Sequence, residues 1–122
     1  TSSSPKDITT FQNGAKEVFV FEGFMDFLSF MVIAQKTSVA DTDFVILNSV
    51  SFFEKARAFM EQHDIVNLYL DNDLAGQKCS QYALSISEKY TDKSSLYKKY
   101  KDLNEWLMNS GNKQKKSLKQ KP

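Results

Sequence analysis

Cysteine is almost missing: Cys79 stands alone, which excludes an internal disulfide and any cysteine-based zinc site. A reducing, cytoplasmic setting fits that scarcity. No apolar run approaches the roughly 20 residues that a membrane-spanning helix requires, and no secretory signal peptide is visible. Glycine and proline are also few, four and two in 122 residues, so little interrupts regular structure. With 41% hydrophobic and 25% charged residues, the chain has the composition of an ordinary globular domain, long enough for one buried core. It does not begin with Met, and an upstream region is expected.

The chain has little net charge, only +1, but the two signs are segregated. Residues 17–76 hold three Lys or Arg against ten Asp or Glu, and residues 77–122 hold eleven Lys against four acids. An acidic half followed by a basic half suits a metal site beside a surface for a polyanion; a solvated lysine-rich helix and tail is the plainer account.

Strand-like and helix-like segments alternate. Residues 1–16 read as a polar lead-in with a short edge strand at Asp7–Phe11, followed by an Asn13-Gly14 turn. Glu17–Phe21 (EVFVF), Asp43–Leu47 (DFVIL) and Ile65–Leu70 are nearly continuous apolar runs, the pattern of parallel strands buried on both faces. Between them, Phe24, Phe27, Leu28, Met31 and Val32 recur at helical spacing to about Gln35, and Phe52, Phe53, Ala56, Phe59 and Met60 do so to about His63. A third helix is predicted from Leu74 to about Tyr90, with Ala75, Cys79, Tyr82, Ala83 and Ile86 facing inward. Ser94–Tyr97 is predicted as a fourth strand, and a short last helix starts near Asp102. Residues 110–122 are a basic tail too polar to order itself.

This order, with no hairpin signal, predicts an α/β fold in which right-handed crossovers build a mostly parallel sheet of about four strands covered by helices. Sites in such sheets form at the carboxyl edge of the strands. Glu22 ends the first long strand. Val66–Lys78 (VNLYLDNDLAGQK) ends the third in two aspartates one residue apart, Asp71 and Asp73. If the two strands are neighbours, three carboxylates converge, and a hard divalent cation with oxygen ligands answers their repulsion. Alternatively, Asp71 merely ends a strand and Asp73 caps the next helix.

A strand ending in Glu22-Gly23-Phe24-Met25-Asp26, followed by a strand ending in Asp-x-Asp, resembles the Toprim domain of primases, topoisomerases and related nucleases. More narrowly, EGFMDFLSF, ILNSV, YLDNDLAGQK and KDLNEWL resemble the primase-like Toprim proteins of Bacteroides-type bacteria and their mobile elements. The resemblance covers roughly residues 17–108 and implies a Toprim domain over 17–109 with a three-layer α/β/α sandwich. It further implies that Asp71 and Asp73 bind Mg²⁺, or Mn²⁺ in its place, and that Glu22 is the general base or acid or, as in some members, a further metal contact. Asp26 would be a second acid of the first motif and Asp102 a third acidic ligand. Gly23 and Gly76 are the motif glycines. The implied partners are DNA or RNA, nucleotides and replication proteins such as a helicase.

The residue types suit that chemistry. Phosphoryl and nucleotidyl transfer concentrates negative charge on oxygens, which carboxylate-held Mg²⁺ stabilises. Glycines at strand-to-helix corners allow close approach. Lys98, Lys99 and Lys101, interleaved with Tyr97 and Tyr100, could hold a phosphate backbone and stack on unpaired bases. His63, near a helix end, reads as structural, Cys79 as a small buried residue, and Trp106 as the anchor of the last helix. Asn48 and Ser49 fall on the same predicted edge as Glu22, where a phosphate contact and a turn explain them equally. The expected function is nucleotidyl transfer in primer synthesis. The rivals are a nuclease on the same site and a non-catalytic nucleic-acid or partner-binding module.

Overall fold

In the computed structural model of the protein, residues 8–35 and 42–109 are described. They form five strands, β1 (Thr9–Phe11), β2 (Glu17–Phe21), β3 (Asp43–Ile46), β4 (Ile65–Tyr69) and β5 (Tyr90–Asp92). The helices are α1 (Phe24–Ile33), α2 (Phe53–Met60), α3 (Leu74–Ile86) and α4, which covers residues 103–109. The strands make one sheet in the order β1-β3-β2-β4-β5, antiparallel only where β1 meets β3. The sequence reading gives about four strands; the fifth arises because Thr9–Phe11 pairs along its whole length with β3. The predicted tail and residues 36–41 lie outside the described residues, as does Asp7. No helix among the described residues is long and apolar enough to cross a membrane.

Side chains alternate across the strands and sort by shape. Val18, Val20, Val45, Leu47, Val66, Leu68 and Leu70 face one way, against Phe53, Ala56 and Met60 of α2 and Ala83 of α3. Phe19, Phe21, Phe44, Ile46 and Tyr69 face the other, against Phe27 and Phe30 of α1 and Leu103 and Trp106 of α4. The rings on this second face interlock: Phe21 stacks on Tyr69 at 5.4 Å, and Phe27 meets Phe44 edge-on at 5.1 Å. Two helices therefore cover each face, giving three layers.

Three expectations are corrected. Ser94–Tyr97 is a 3₁₀ turn and not a strand. The strand lies earlier, at β5, because α3 ends at Ile86 and the extended Ser87 frees the chain to re-enter the sheet, where Tyr90 is buried against Phe53. On α1, Phe24, Leu28 and Val32 point to solvent, and the buried face carries Asp26, Phe27 and Ser29. Tyr82, expected inside, is exposed on α3 and donates its hydroxyl to Glu54.

At the amino edge of the sheet, one buried carboxylate gathers the lead-in, β3 and the end of α2. Asp43 Oδ1 accepts the Asn13 and Ala15 backbone N–H groups at 2.6 and 3.2 Å, and Oδ2 meets His63 Nε2 at 2.6 Å. The other ring nitrogen faces the carbonyls of Phe59 and Met60 at 3.0 and 3.1 Å, so both nitrogens of His63 sit against oxygen acceptors. Gly14, between the two donors, has a φ of +74°, which favours glycine.

Burial opposes ionisation of Asp43, yet its hydrogen bonds from His63, Asn13 and Ala15 outweigh that cost and hold the carboxyl below its usual value of 3.8. The stability this group contributes is therefore present above that value and lost as pH falls through the lower, folded-state value. We predict that Asp43→Ala lowers unfolding free energy by about 3 kcal/mol in urea titrations at pH 7, since it strands a buried imidazole partner. The difference from the native chain should shrink below pH 4.

Candidate functional site

The site follows from the pairing of β2 with β4. Their register sets Phe21 opposite Tyr69, so the residues just beyond, Glu22 and Leu70 to Asp73, leave the sheet at one level. The chain then diverges, from β2 to α1 on the aromatic face and from β4 to α3 on the aliphatic face. A crevice opens at such a switch point. Across it, Glu22 Oε1 accepts the backbone N–H of Asp71 at 3.2 Å.

Three helix starts contribute carboxylates to this crevice. Asp73 is the N-cap of α3, its Oδ1 accepting the Gly76 N–H at 2.8 Å. Asp102 caps α4 in the same way, accepting the Glu105 N–H at 2.8 Å, while Glu105 reaches back to the Lys101 N–H at 2.8 Å. Asp26 lies in the first turn of α1, is 4% exposed, and accepts the Asn104 N–H of α4 at 3.1 Å. Ser29 joins the same two helices through Asn104 Oδ1 at 2.9 Å. Capping occupies one oxygen of Asp73 and one of Asp102, and a carboxylate has a second. The two readings of Asp73, cap and ligand, are thus compatible.

The carboxylates form two groups that share Asp71. Glu22, Asp71 and Asp73 place ligand atoms within 4.8 Å of one another, and Asp26, Asp71 and Asp102 do the same. Asp71 Oδ1 is buried and is the one buried side-chain polar atom among the described residues without a hydrogen-bond partner. Burial, followed by the charges of Glu22, Asp26, Asp102 and Asp73, pushes the Asp71 carboxyl up to about 7. Burial raises Asp26 to about 6 despite the Asn104 N–H, with Asp102 and Glu22 adding to the effect. Glu22 is raised by burial and by Asp73, against the opposing pull of the Asp71 N–H and the Lys101 charge. An oxygen-rich, electron-rich cluster with an unpartnered buried oxygen fits Mg²⁺ or Mn²⁺.

Gly76 makes this geometry possible. A Cβ there would overlap the Asp71 carbonyl oxygen and lie 3.0 Å from its carbon and 3.1 Å from its nitrogen. At Gly23 a Cβ would meet only Asp26 Oδ2 at 3.6 Å, an ordinary contact.

Lys98 and Lys99 are exposed on the segment leading to the site, and Lys101 is close enough for its charge to act on Glu22. Tyr100 is half-buried. Tyr97, expected to offer its ring to bases, is instead 1% exposed: the 3₁₀ turn points it into the core, where its hydroxyl donates to the Leu70 carbonyl at 2.7 Å. Trp106 packs against the aromatic cluster, Cys79 against the aliphatic one. Asn48 adopts φ +66° at the end of β3, and Ser49 caps the turn that follows through Ser51. Sequence reasoning passed over Asn72, Ser29 and Asn104, polar side chains that support the acids. The signal for Asn72 was its place between two residues pointing one way, which turns it toward the interior.

The Toprim-like family model matches residues 19–107, which includes all five acids. The chain belongs to the Toprim-like family. Among solved structures, this Toprim domain is similar to the primase fragment of the bacteriophage T7 primase-helicase protein, at 24% identity and a TM-score of 0.64. That match covers 81% of this chain and 41% of the other. It is also similar to a chain in the complex of bacteriophage T7 lagging-strand DNA polymerase with primase domains bound to an RNA/DNA hybrid and dTTP. There the identity is 23% and the TM-score 0.61, with coverage of 84% and 52%. The Toprim domain here thus spans about half or less of either chain, and the likeness is one of fold. No curated protein matches the sequence.

Two outcomes follow from this geometry. Gly76→Ala should destabilise the domain by about 3 kcal/mol, since the clash is with backbone, and Gly23→Ala by less than about 1 kcal/mol, both read from urea midpoints. Carboxyls raised in the folded state take up protons before those of the unfolded chain, so without divalent cations stability should increase as pH falls from 8 to 5. That increase should be smaller in Asp71→Asn.

Proposed function

We propose that this Toprim domain carries out Mg²⁺-dependent nucleotidyl transfer on nucleic acid, as the catalytic part of a longer primase-like protein. The observation that carries this reading is the convergence of five carboxylates, in two groups that share Asp71 with its unpartnered oxygen, at the switch point of the sheet. Similarity of fold to primase domains supports it. The likeness of EGFMDFLSF and YLDNDLAGQK to primase-like proteins of mobile elements favours a role in plasmid or transposon replication.

Asp71 and Asp73, with Glu22, would hold one cation, and Asp71 with Asp26 and Asp102 a second. Bound cations would supply charge stabilisation for the attacking and leaving oxygens of an in-line displacement. Glu22 would be the proton acceptor: Oε1 accepts the Asp71 N–H, and a carboxylate has a second oxygen that could take a proton from a 3′ hydroxyl. Its upward pKa shift brings it nearer the working range of a general base. Lys101, beside Glu22, and the exposed Lys98 and Lys99 would bind the phosphate backbone, with Tyr100 as a stacking surface. Asp26 holds α4 in place whether or not it also binds metal.

The test uses the full-length parent with single-stranded template, Mg²⁺ and labelled nucleotides. Incorporation is expected, falling about a hundredfold or more in Glu22→Gln and in Asp71→Asn. Mg²⁺ titration of this domain should show binding that is lost in Asp71→Ala. Cleavage of labelled DNA without incorporation would replace the reading by a nuclease. Nucleic-acid binding indifferent to EDTA and to Glu22→Gln would replace it by a non-catalytic module.

A further inference from the structure

Between the two aspartates of the Asp-x-Asp segment, Asn72 turns away from the crevice and toward the segment that follows β5. Its amide Nδ2 donates to the carbonyls of Tyr97 at 3.0 Å, Tyr100 at 3.1 Å and, more weakly, Ser94 at 3.4 Å. Two amide hydrogens are shared among three acceptors. Its backbone N–H donates to the Lys101 carbonyl at 2.5 Å. One residue therefore binds the chain at four points from Ser94 to Lys101. That chain is short and irregular, a 3₁₀ turn at Ser94–Tyr97 and bends up to Asp102, where the Lys101 N–H is also held by Glu105 Oε1 at 2.8 Å. The Tyr97 hydroxyl adds a further tie to Leu70, and the Lys93 N–H one to Leu68.

The end of that segment delivers Lys101 and Asp102 to the acids. By contrast, the group formed by Glu22, Asp71 and Asp73 is held by the β2–β4 pairing, the Asp71 N–H and the cap to Gly76, none of which involves the Asn72 side chain. We infer that Asn72 is a positioning residue that sets the second acidic group, Asp26, Asp71 and Asp102, by fastening residues 94–101 to the strand end that carries Asp71. An amide is suited to this place. Carbonyls need a donor, and a carboxylate there would repel both them and its two neighbours. The role in cation binding rests on the metal reading above; the positioning role itself does not.

Two measurements on this chain separate the claims. In hydrogen–deuterium exchange without metal, Asn72→Ala and the similarly sized Asn72→Leu should speed exchange across residues 94–104 and leave α3 at its native rates. In Mn²⁺ titrations, Asn72→Ala and Asp102→Asn should each weaken binding by about tenfold, the effect of losing a supporting partner of a ligand. The double variant should weaken it no further, whereas Asn72→Ala combined with Asp73→Asn should show both losses multiplied. Unchanged exchange at 94–104 in both variants, or faster exchange spread evenly over the domain, would overturn the positioning role. So would full multiplication of the Asn72→Ala and Asp102→Asn losses. If the native chain binds no Mn²⁺, the metal reading fails, and the exchange data still decide the place of Asn72.

Discussion

Glu22 and Asp71 meet because β2 and β4 run parallel in a register that ends both strands at the same height. Everything at the crevice hangs from that pairing. It sends α1 and α3 to opposite faces, so their first turns flank the acids from two sides. It also leaves the Asp71 N–H unpaired by the sheet, free for Glu22 Oε1. The sorting of the core serves the same register. A one-residue slip of β4 would carry Leu68 and Leu70 to the aromatic face and Tyr69 to the aliphatic one.

Crowding acids at one edge carries an electrostatic cost, and the fold offsets it locally. Backbone N–H groups at the starts of α3 and α4 point at Asp73, and at Asp26 and Asp102, where the partial positive charge of each helix end favours a carboxylate. Asp71 receives no such donor. It is the residue on which the repulsion converges, and its carboxyl is raised further than that of Asp26. The opposite edge of the sheet is arranged with the reverse balance: Asp43 is surrounded by donors and stays ionised. Acidification therefore relaxes one edge before it loosens the other.

The main frame could be read from the sequence because EVFVF and DFVIL are buried on both faces, and few other structures want such runs. The acids were legible for the same reason, since parallel strands must end on one edge. What could not be read depended on contacts remote in sequence. α1 appeared to bury Phe24, Leu28 and Val32, and in the fold those positions face solvent because Asp26 and Ser29 are drawn inward by Asn104, more than 70 residues away. β5 has only three residues, one of them buried, so its pattern carries no periodicity. Tyr97 read as part of a basic, aromatic surface until its hydroxyl found the Leu70 carbonyl. Asn72 carried no role in the sequence reading, and its partners lie in a segment with little regular structure to announce it.

The approach of α3 to Asp71 leaves room at Gly76 for a hydrogen atom and nothing larger. Every other amino acid carries a Cβ, so all missense changes at that codon meet the same obstacle, whatever their polarity or size. Gly23 has neighbours in sequence space that the backbone can accept; Gly76 has none. Inheritance of the acids that follow β4 is thereby bound to inheritance of an empty space three residues beyond Asp73.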